Sequence, residues 1–207
     1  LACHAAGKLE LWSLDPLERR VSLDRAVVEV PVWVGSRLLI ATAESLEWVE
    51  GDRVNVAVAG GGWWPISGGE AAFATRGVAA RSLQPDGTII EFTICSATRS
   101  TTVVAAGELH VGCDDGVLRS YDSRGTPSAE LPLGARPAWS TVEGYPGGLL
   151  VGWLKGGVQV LEPRAGQWGT LLPGISGSVL ALQPVPGTAL VLALGESGGP
   201  RIWNPDV

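Results

Sequence analysis

The chain has 207 residues and a formal net charge of −6, with 17% of residues charged and 45% hydrophobic. Low charge beside that apolar content excludes intrinsic disorder, and the longest apolar stretches, such as Val179–Leu182 and Ala189–Leu194, have strand length, far short of the roughly 20 residues of a membrane-spanning helix. The basic residues are scattered, only Lys8 and Lys155 are lysines, and no clustered face for phosphates is predicted, so neither nucleic acid nor membrane is an expected partner.

Helical periodicity is nearly absent, and apolar and polar residues alternate in short runs bounded by Gly, Pro, Asp and Ser, the pattern of half-buried strands. Leu1–Ser13 reads as a strand, a turn ending in Gly7 and an alternating strand closing on Trp12. An outer strand follows at Arg20–Leu23 and an innermost strand at Val27–Val34. A second copy of the strand–turn–strand unit covers Leu38–Trp48, and a weaker one Ala72–Leu83. Three better copies lie at Leu109–Asp122, Leu149–Glu162 and Leu190–Asn204. Between them, Pro137–Val142 and Ser178–Gln183 read as innermost strands, and Ser128–Leu133 and Gln167–Leu172 as outer ones. The last two run into Gly134 and Gly174, where the chain is expected to cross to the next unit.

The closing positions Trp12, Trp48, Leu83, Tyr121, Leu161 and Trp203 are 36, 35, 38, 40 and 42 residues apart. A unit of about 40 residues with four strands matches the period of a β-propeller blade. The expected fold is therefore all-β, a single β-propeller domain over 1–207 with four-stranded blades in about six repeats. The first repeat opens with its second strand and the last ends with its third. Either the partial members complete one shared blade, or the chain is a fragment of a longer propeller or multidomain protein. A chain with no Met is expected to be a processed or excised piece. Tight turns explain the 29 Gly and 14 Pro, and packing between twisted sheets gives the 9 Trp a structural use.

These residues resemble the WD-repeat family of β-propellers. Asp114–Asp122 looks like that family's aspartate–glycine turn and the strand ending in its Trp-Asp pair, here Tyr121-Asp122. Trp12-Ser13 and Trp203-Asn204 stand where the pair is expected, with the acid replaced. The resemblance is good over 109–204, fair over 1–50 and poor over 51–108, and the family's Gly-His dipeptide is missing throughout. The degenerate, Lys-poor repeats look like bacterial members. The resemblance implies a sensor or scaffold module attached to a signalling protein.

Little in the chain suggests catalysis. His4 and His110 are the whole supply of neutral-pH bases, each near a cysteine (Cys3, Cys113), but nearness along a strand gives no catalytic geometry. The three cysteines have neither zinc spacing nor a disulfide pattern and read as buried, reduced thiols of a cytoplasmic protein. No catalytic residue, cofactor or metal is expected. Asp114-Asp115-Gly116 reads as a turn whose Asp caps its own backbone. The GGGWWP stretch at Gly60–Pro65 lacks the rest of a phosphate loop. Adjacent tryptophans point to opposite sides of a strand, so one of Trp63 and Trp64 is a candidate for stacking on a sugar or a partner. The leading expectation is a non-catalytic interaction or sensing scaffold with a protein or peptide partner. Its face would be formed by the turns between second and third strands, with His4, Glu44, Arg76, Asp114, Asp115, Lys155 and Glu196 on the rim. A carbohydrate-binding propeller, taking a glycan or other small molecule on exposed Trp, is the alternative, and an enzyme the third reading.

Overall fold

A computed structural model describes all residues except 1, 6, 15, 68–70, 96–98, 106, 134–138, 146–147, 154–155, 173–174, 186–187, 198 and 205–207, and the side chains of 3–5, 67, 99–101 and 139–145. Among the described residues every regular element is a strand, and the strands form six antiparallel sheets, four of four strands and two of three. In chain order the sheets are β1 (Ala2–Ala5), β2 (Lys8–Leu14), β3 (Leu17–Asp24); β4 (Val32–Val34), β5 (Arg37–Ala41), β6 (Ser45–Glu50), β7 (Arg53–Ala59); β8 (Trp64–Ser67), β9 (Ala72–Arg76), β10 (Ala79–Leu83), β11 (Ile89–Thr93). They continue with β12 (Arg99–Ala105), β13 (Glu108–Cys113), β14 (Val117–Tyr121), β15 (Pro127–Pro132); β16 (Trp139–Tyr145), β17 (Gly148–Trp153), β18 (Val158–Glu162), β19 (Gln167–Leu172); and β20 (Ser176–Pro184), β21 (Val191–Ser197), β22 (Arg201–Trp203). Each sheet is a meander of sequential strands, consistent with a propeller blade. The region 51–108, where repeats were hardest to read, forms strands as regular as the rest. The predicted innermost strand at Val27–Val34 shortens to Val32–Val34, preceded by an isolated bridge between Val27 and Thr42. Pro31 sits at the break and has no N–H to give to a ladder.

The chain divides into two compact units, residues 1–92 and 93–207. In the first, β5 explains why an apolar strand without alternation is stable. Leu38 and Ile40 pack with Leu9 and Leu11 of β2, while Leu39 and Ala41 pack with Trp63, Ala72 and Ala74. The β4–β7 sheet therefore buries both faces, and each fully buried leucine contributes about 1.5–3 kcal/mol. In the second unit β17 repeats the arrangement. Leu149 and Val151 join Leu118 and Leu133 on one side, and Leu150 joins Val179, Leu182 and Val191 on the other. Trp48 and Trp63 are buried as packing residues, and Trp153 and Trp168 pair at 5.4 Å between ring centroids.

The expectation of three reduced thiols is corrected. Cys95 and Cys113, both buried, are joined in a disulfide with their Cα atoms 5.9 Å apart. The spacing of 18 residues concealed this, because the β12–β13 hairpin turns the chain back so that the end of β13 meets the segment before β12. The predicted crossing points Gly134 and Gly174 lie outside the described residues.

Candidate functional site

The predicted face consists of the turns that join second to third strands. In the first unit, Glu44 lies in the turn between β5 and β6, exposed. Thr42 shapes that turn: its Oγ1 accepts the Ser45 N–H at 3.0 Å, and its own N–H donates to the Ser45 carbonyl at 2.8 Å. Below it the carboxylate of Glu47 is nearly enclosed, accepting from Arg25 Nε and from Ser45 Oγ, both at 2.9 Å. Together Arg25, Ala26, Thr42, Ala43, Glu44 and Glu47 line a pocket of about 390 Å³.

Arg76 closes β9 at the next such turn and is exposed. Its NH1 donates to the Gly61 carbonyl at 3.2 Å. Gly61 in turn lies so close to the Thr42–Ser45 turn that a Cβ there would collide with the Ala43 carbonyl oxygen. The glycine run therefore connects Glu44 and Arg76, which are 32 residues apart in sequence. Trp63 is 2% exposed, and the guanidinium carbons of Arg76 and Arg81 each lie 4.6 Å from its ring centroid. Its stacking surface is thus taken by arginines of the chain itself. Trp64 points the other way and is 51% exposed.

In the second unit, Asp114 and Asp115 occupy the turn between β13 and β14, both exposed. Gly116 adopts φ 80°, which a side chain would disfavour, and its N–H donates to the Cys113 carbonyl at 3.0 Å. Asp115 Oδ1 accepts the Val117 N–H at 3.0 Å, and Oδ2 pairs with Arg119 NH2 at 2.8 Å. The Arg119 hydrogen bond holds the Asp115 carboxyl below the usual carboxylate range. Arg119 Nε also meets Glu130 at 3.2 Å, so one guanidinium bridges two carboxylates and the network keeps a net negative charge. Asp122 caps the following turn, accepting the N–H groups of Arg124 and Thr126 at 2.8 Å.

Two placements are corrected. His4 lies within β1, opposite Leu9, and its side chain is outside the described residues. Glu196 lies within β21, its Oε2 3.3 Å from the backbone N and the Oγ of Ser178. In both, pairing extends further toward the turn than repeat alignment implied. Lys155 lies outside the described residues.

Repeat reasoning missed a cluster at the opposite end of β13. Ala105, Glu108, His110, Gly148, Glu162, Pro163 and Arg164 line a pocket of about 240 Å³, and Glu108 Oε1 meets Arg164 NH2 at 3.0 Å. His110 is buried, and its Nδ1 lies 2.7 Å from Oγ of Ser120, itself 1% exposed. Burial holds the His110 pKa below the ordinary imidazole value. The cue in the sequence was polar residues at inward positions of alternating strands.

No family model matches the chain. No curated protein matches it either. Among solved structures it is similar to the computationally designed Ika8 protein, at TM-score 0.62 and 14% identity over 96% of this chain. It is also similar to Saccharomyces cerevisiae Sqt1, a WD40 protein, at TM-score 0.67 and 12% identity over 95% of this chain. The chain spans 65% of the length of each. At these identities the likeness is one of fold, a propeller-like all-β repeat scaffold.

Proposed function

We propose that this chain is a non-catalytic WD-repeat-like propeller of about six blades that docks a protein or peptide on its second-to-third-strand turns. The observation that carries the reading is the linked first-unit surface of Glu44, the Arg25–Glu47 pocket, the glycine run and exposed Arg76. Mixed charge on a backbone-braced surface suits recognition of a polypeptide better than of a polyanion. A role as the sensing module of a larger bacterial signalling protein belongs to the same proposal. The non-catalytic reading is supported by the burial of the Ser120–His110 pair, whose members are 1% and 2% exposed. The cytoplasmic expectation rested on three reduced thiols. The Cys95–Cys113 bond removes that premise and favours an oxidising compartment.

The test is affinity capture with the wild-type chain, followed by capture with alanine at Glu44 or Arg76. The expected result is a partner lost with these variants and retained with Arg53→Ala, which lies at the β6–β7 turn of the first unit, outside the second-to-third-strand turns. The reverse pattern overturns the assignment. A second reading, a glycan on exposed Trp64, predicts glycan-array binding that Trp64→Ala abolishes.

A further inference from the structure

Glu108 opens β13 opposite Ala105 and is 7% exposed. A buried carboxylate is costly unless a cation or hydrogen-bond donors replace its water. Among the described residues its one charged partner is Arg164, whose NH2 lies 3.0 Å from Oε1. Arg164 stands in the turn between β18 and β19, and its side chain is 71% exposed. The guanidinium therefore reaches Glu108 with one nitrogen while most of the side chain stays in water. A guanidinium can grip a carboxylate through two parallel bonds, and this pair uses one.

The pocket around the pair has room for a second occupant, at about 240 Å³. Gly148 contributes no side chain to its wall, and a Cβ there would strike the Leu161 carbonyl oxygen. His110 is buried with its Nδ1 on Ser120 Oγ, and burial holds its pKa down, so it adds no positive charge at neutral pH. Glu162 adds a second carboxylate, whose Oε1 accepts the Ala165 N–H at 3.3 Å. Two carboxylates against one largely exposed guanidinium give the pocket a net negative charge. Its volume lies below the roughly 300–1,000 Å³ typical of sites that enclose a whole small molecule, and it suits the end of one side chain.

We propose that this pocket of the second unit receives an arginine side chain of a partner polypeptide, which grips both oxygens of Glu108, and that Arg164 is a resident stand-in that the incoming arginine displaces. An ion pair with one largely exposed member contributes little to stability, so releasing Arg164 costs little, and the incoming guanidinium keeps the buried charge neutralised. Lysine, a point charge on a single ammonium, cannot match the fork of the guanidinium. Arg164 is tethered beside the pocket and competes at a high local concentration, which lowers the apparent affinity for any free guanidinium. The site lies at the other end of β13 from the Asp114–Asp115 turn and stands or falls independently of the second-to-third-strand turns.

The experiment uses the 207-residue chain, labelled with nitrogen-15 and titrated with acetyl-Gly-Arg-Gly-amide while the amide signals of Glu108, His110 and Arg164 are followed by NMR. Matched peptides carry Lys, or citrulline as the neutral isostere, in place of Arg, and free L-arginine is a further probe. The expected result is saturable shifts with the Arg peptide, at least fivefold weaker binding of the Lys peptide and none of the citrulline peptide. Arg164→Ala binds the Arg peptide at least fivefold more tightly than the wild type, a gain that an unfolded variant cannot produce. Glu108→Gln, which keeps the shape and removes the charge, loses the shifts. No shift in the wild type and Arg164→Ala at millimolar peptide overturns the proposal, as does binding that Arg164→Ala leaves unchanged or weakens, or that Glu108→Gln retains. Equal binding of the Lys or citrulline peptide also overturns it. So does tighter binding of free L-arginine than of the blocked peptide, since the occupant is then a small molecule.

Discussion

The hydroxyl of Tyr121 donates a 2.9 Å hydrogen bond to the carbonyl of Ile94, the residue immediately before disulfide-bonded Cys95. β13 and β14 thus each hold the same short segment, one by a covalent bond and one by a buried phenol.

Of these two ties, the covalent one will cost more to break. Closing a loop of this length contributes ~3 kcal/mol in the chain-entropy account, so Cys95→Ala with Cys113→Ala will lower the denaturant midpoint, and reductant will do the same to the wild type. Thiol titration of the denatured, unreduced protein will find one thiol per chain, from Cys3. Three would show that the bond does not form. Tyr121→Phe, which leaves the Ile94 carbonyl without this donor, will cost about 1 kcal/mol on the same measurement.

His110 makes stability depend on pH. Burial is the main cause of its lowered pKa, Arg164 acts in the same direction, and Glu108 and the Ala105 backbone oppose them. The unfolded chain takes up a proton near the ordinary value of about 6.5 and the folded chain does not. The contribution is therefore intact above that value and lost as pH falls below it. Urea midpoints measured from pH 8 to pH 5 will fall on the acid side, and His110→Gln will flatten that part of the profile. An unchanged slope in the variant rules His110 out as the cause.

The two adjacent tryptophans will separate cleanly. Trp63→Ala removes a 2% exposed ring between two guanidinium groups and will cost about 3–5 kcal/mol. Trp64→Ala removes a half-exposed ring and will cost about 1 kcal/mol or less. Equal losses in chemical denaturation would contradict the burial assigned to Trp63.

Gly61→Ala tests the backbone contact between the glycine run and the Thr42–Ser45 turn. The added methyl meets a carbonyl oxygen, which cannot swing away as a side chain can, and the cost will be about 1–3 kcal/mol. Gly87→Ala offers a comparison, since its φ of 91° is strained but the space around it is open. A smaller loss at Gly61 than at Gly87 would mean that the turn yields.

The strands were legible in the sequence because each needs only local alternation and a bounding turn residue, as in Val117–Tyr121 or Gln167–Leu172. The face was legible in part. Glu44, Arg76, Asp114 and Asp115 fall at the turn ends as repeat alignment predicts, since turns are set by short-range chemistry. His4 and Glu196 fall inside strands because pairing length depends on the partner strand, which the alignment did not weigh. The disulfide, the Glu108–Arg164 pair and the bridge from Gly61 to Arg76 join residues 18, 56 and 15 positions apart. Each depends on where a hairpin returns, and composition and spacing carry no trace of that.

The glycine run also makes the first-unit turn surface one mechanical piece. Gly61 lies against the Ala43 carbonyl oxygen and its own carbonyl accepts from Arg76, so a displacement of the Thr42–Ser45 turn reaches Arg76 through the backbone of the run rather than through a chain of rotatable side chains.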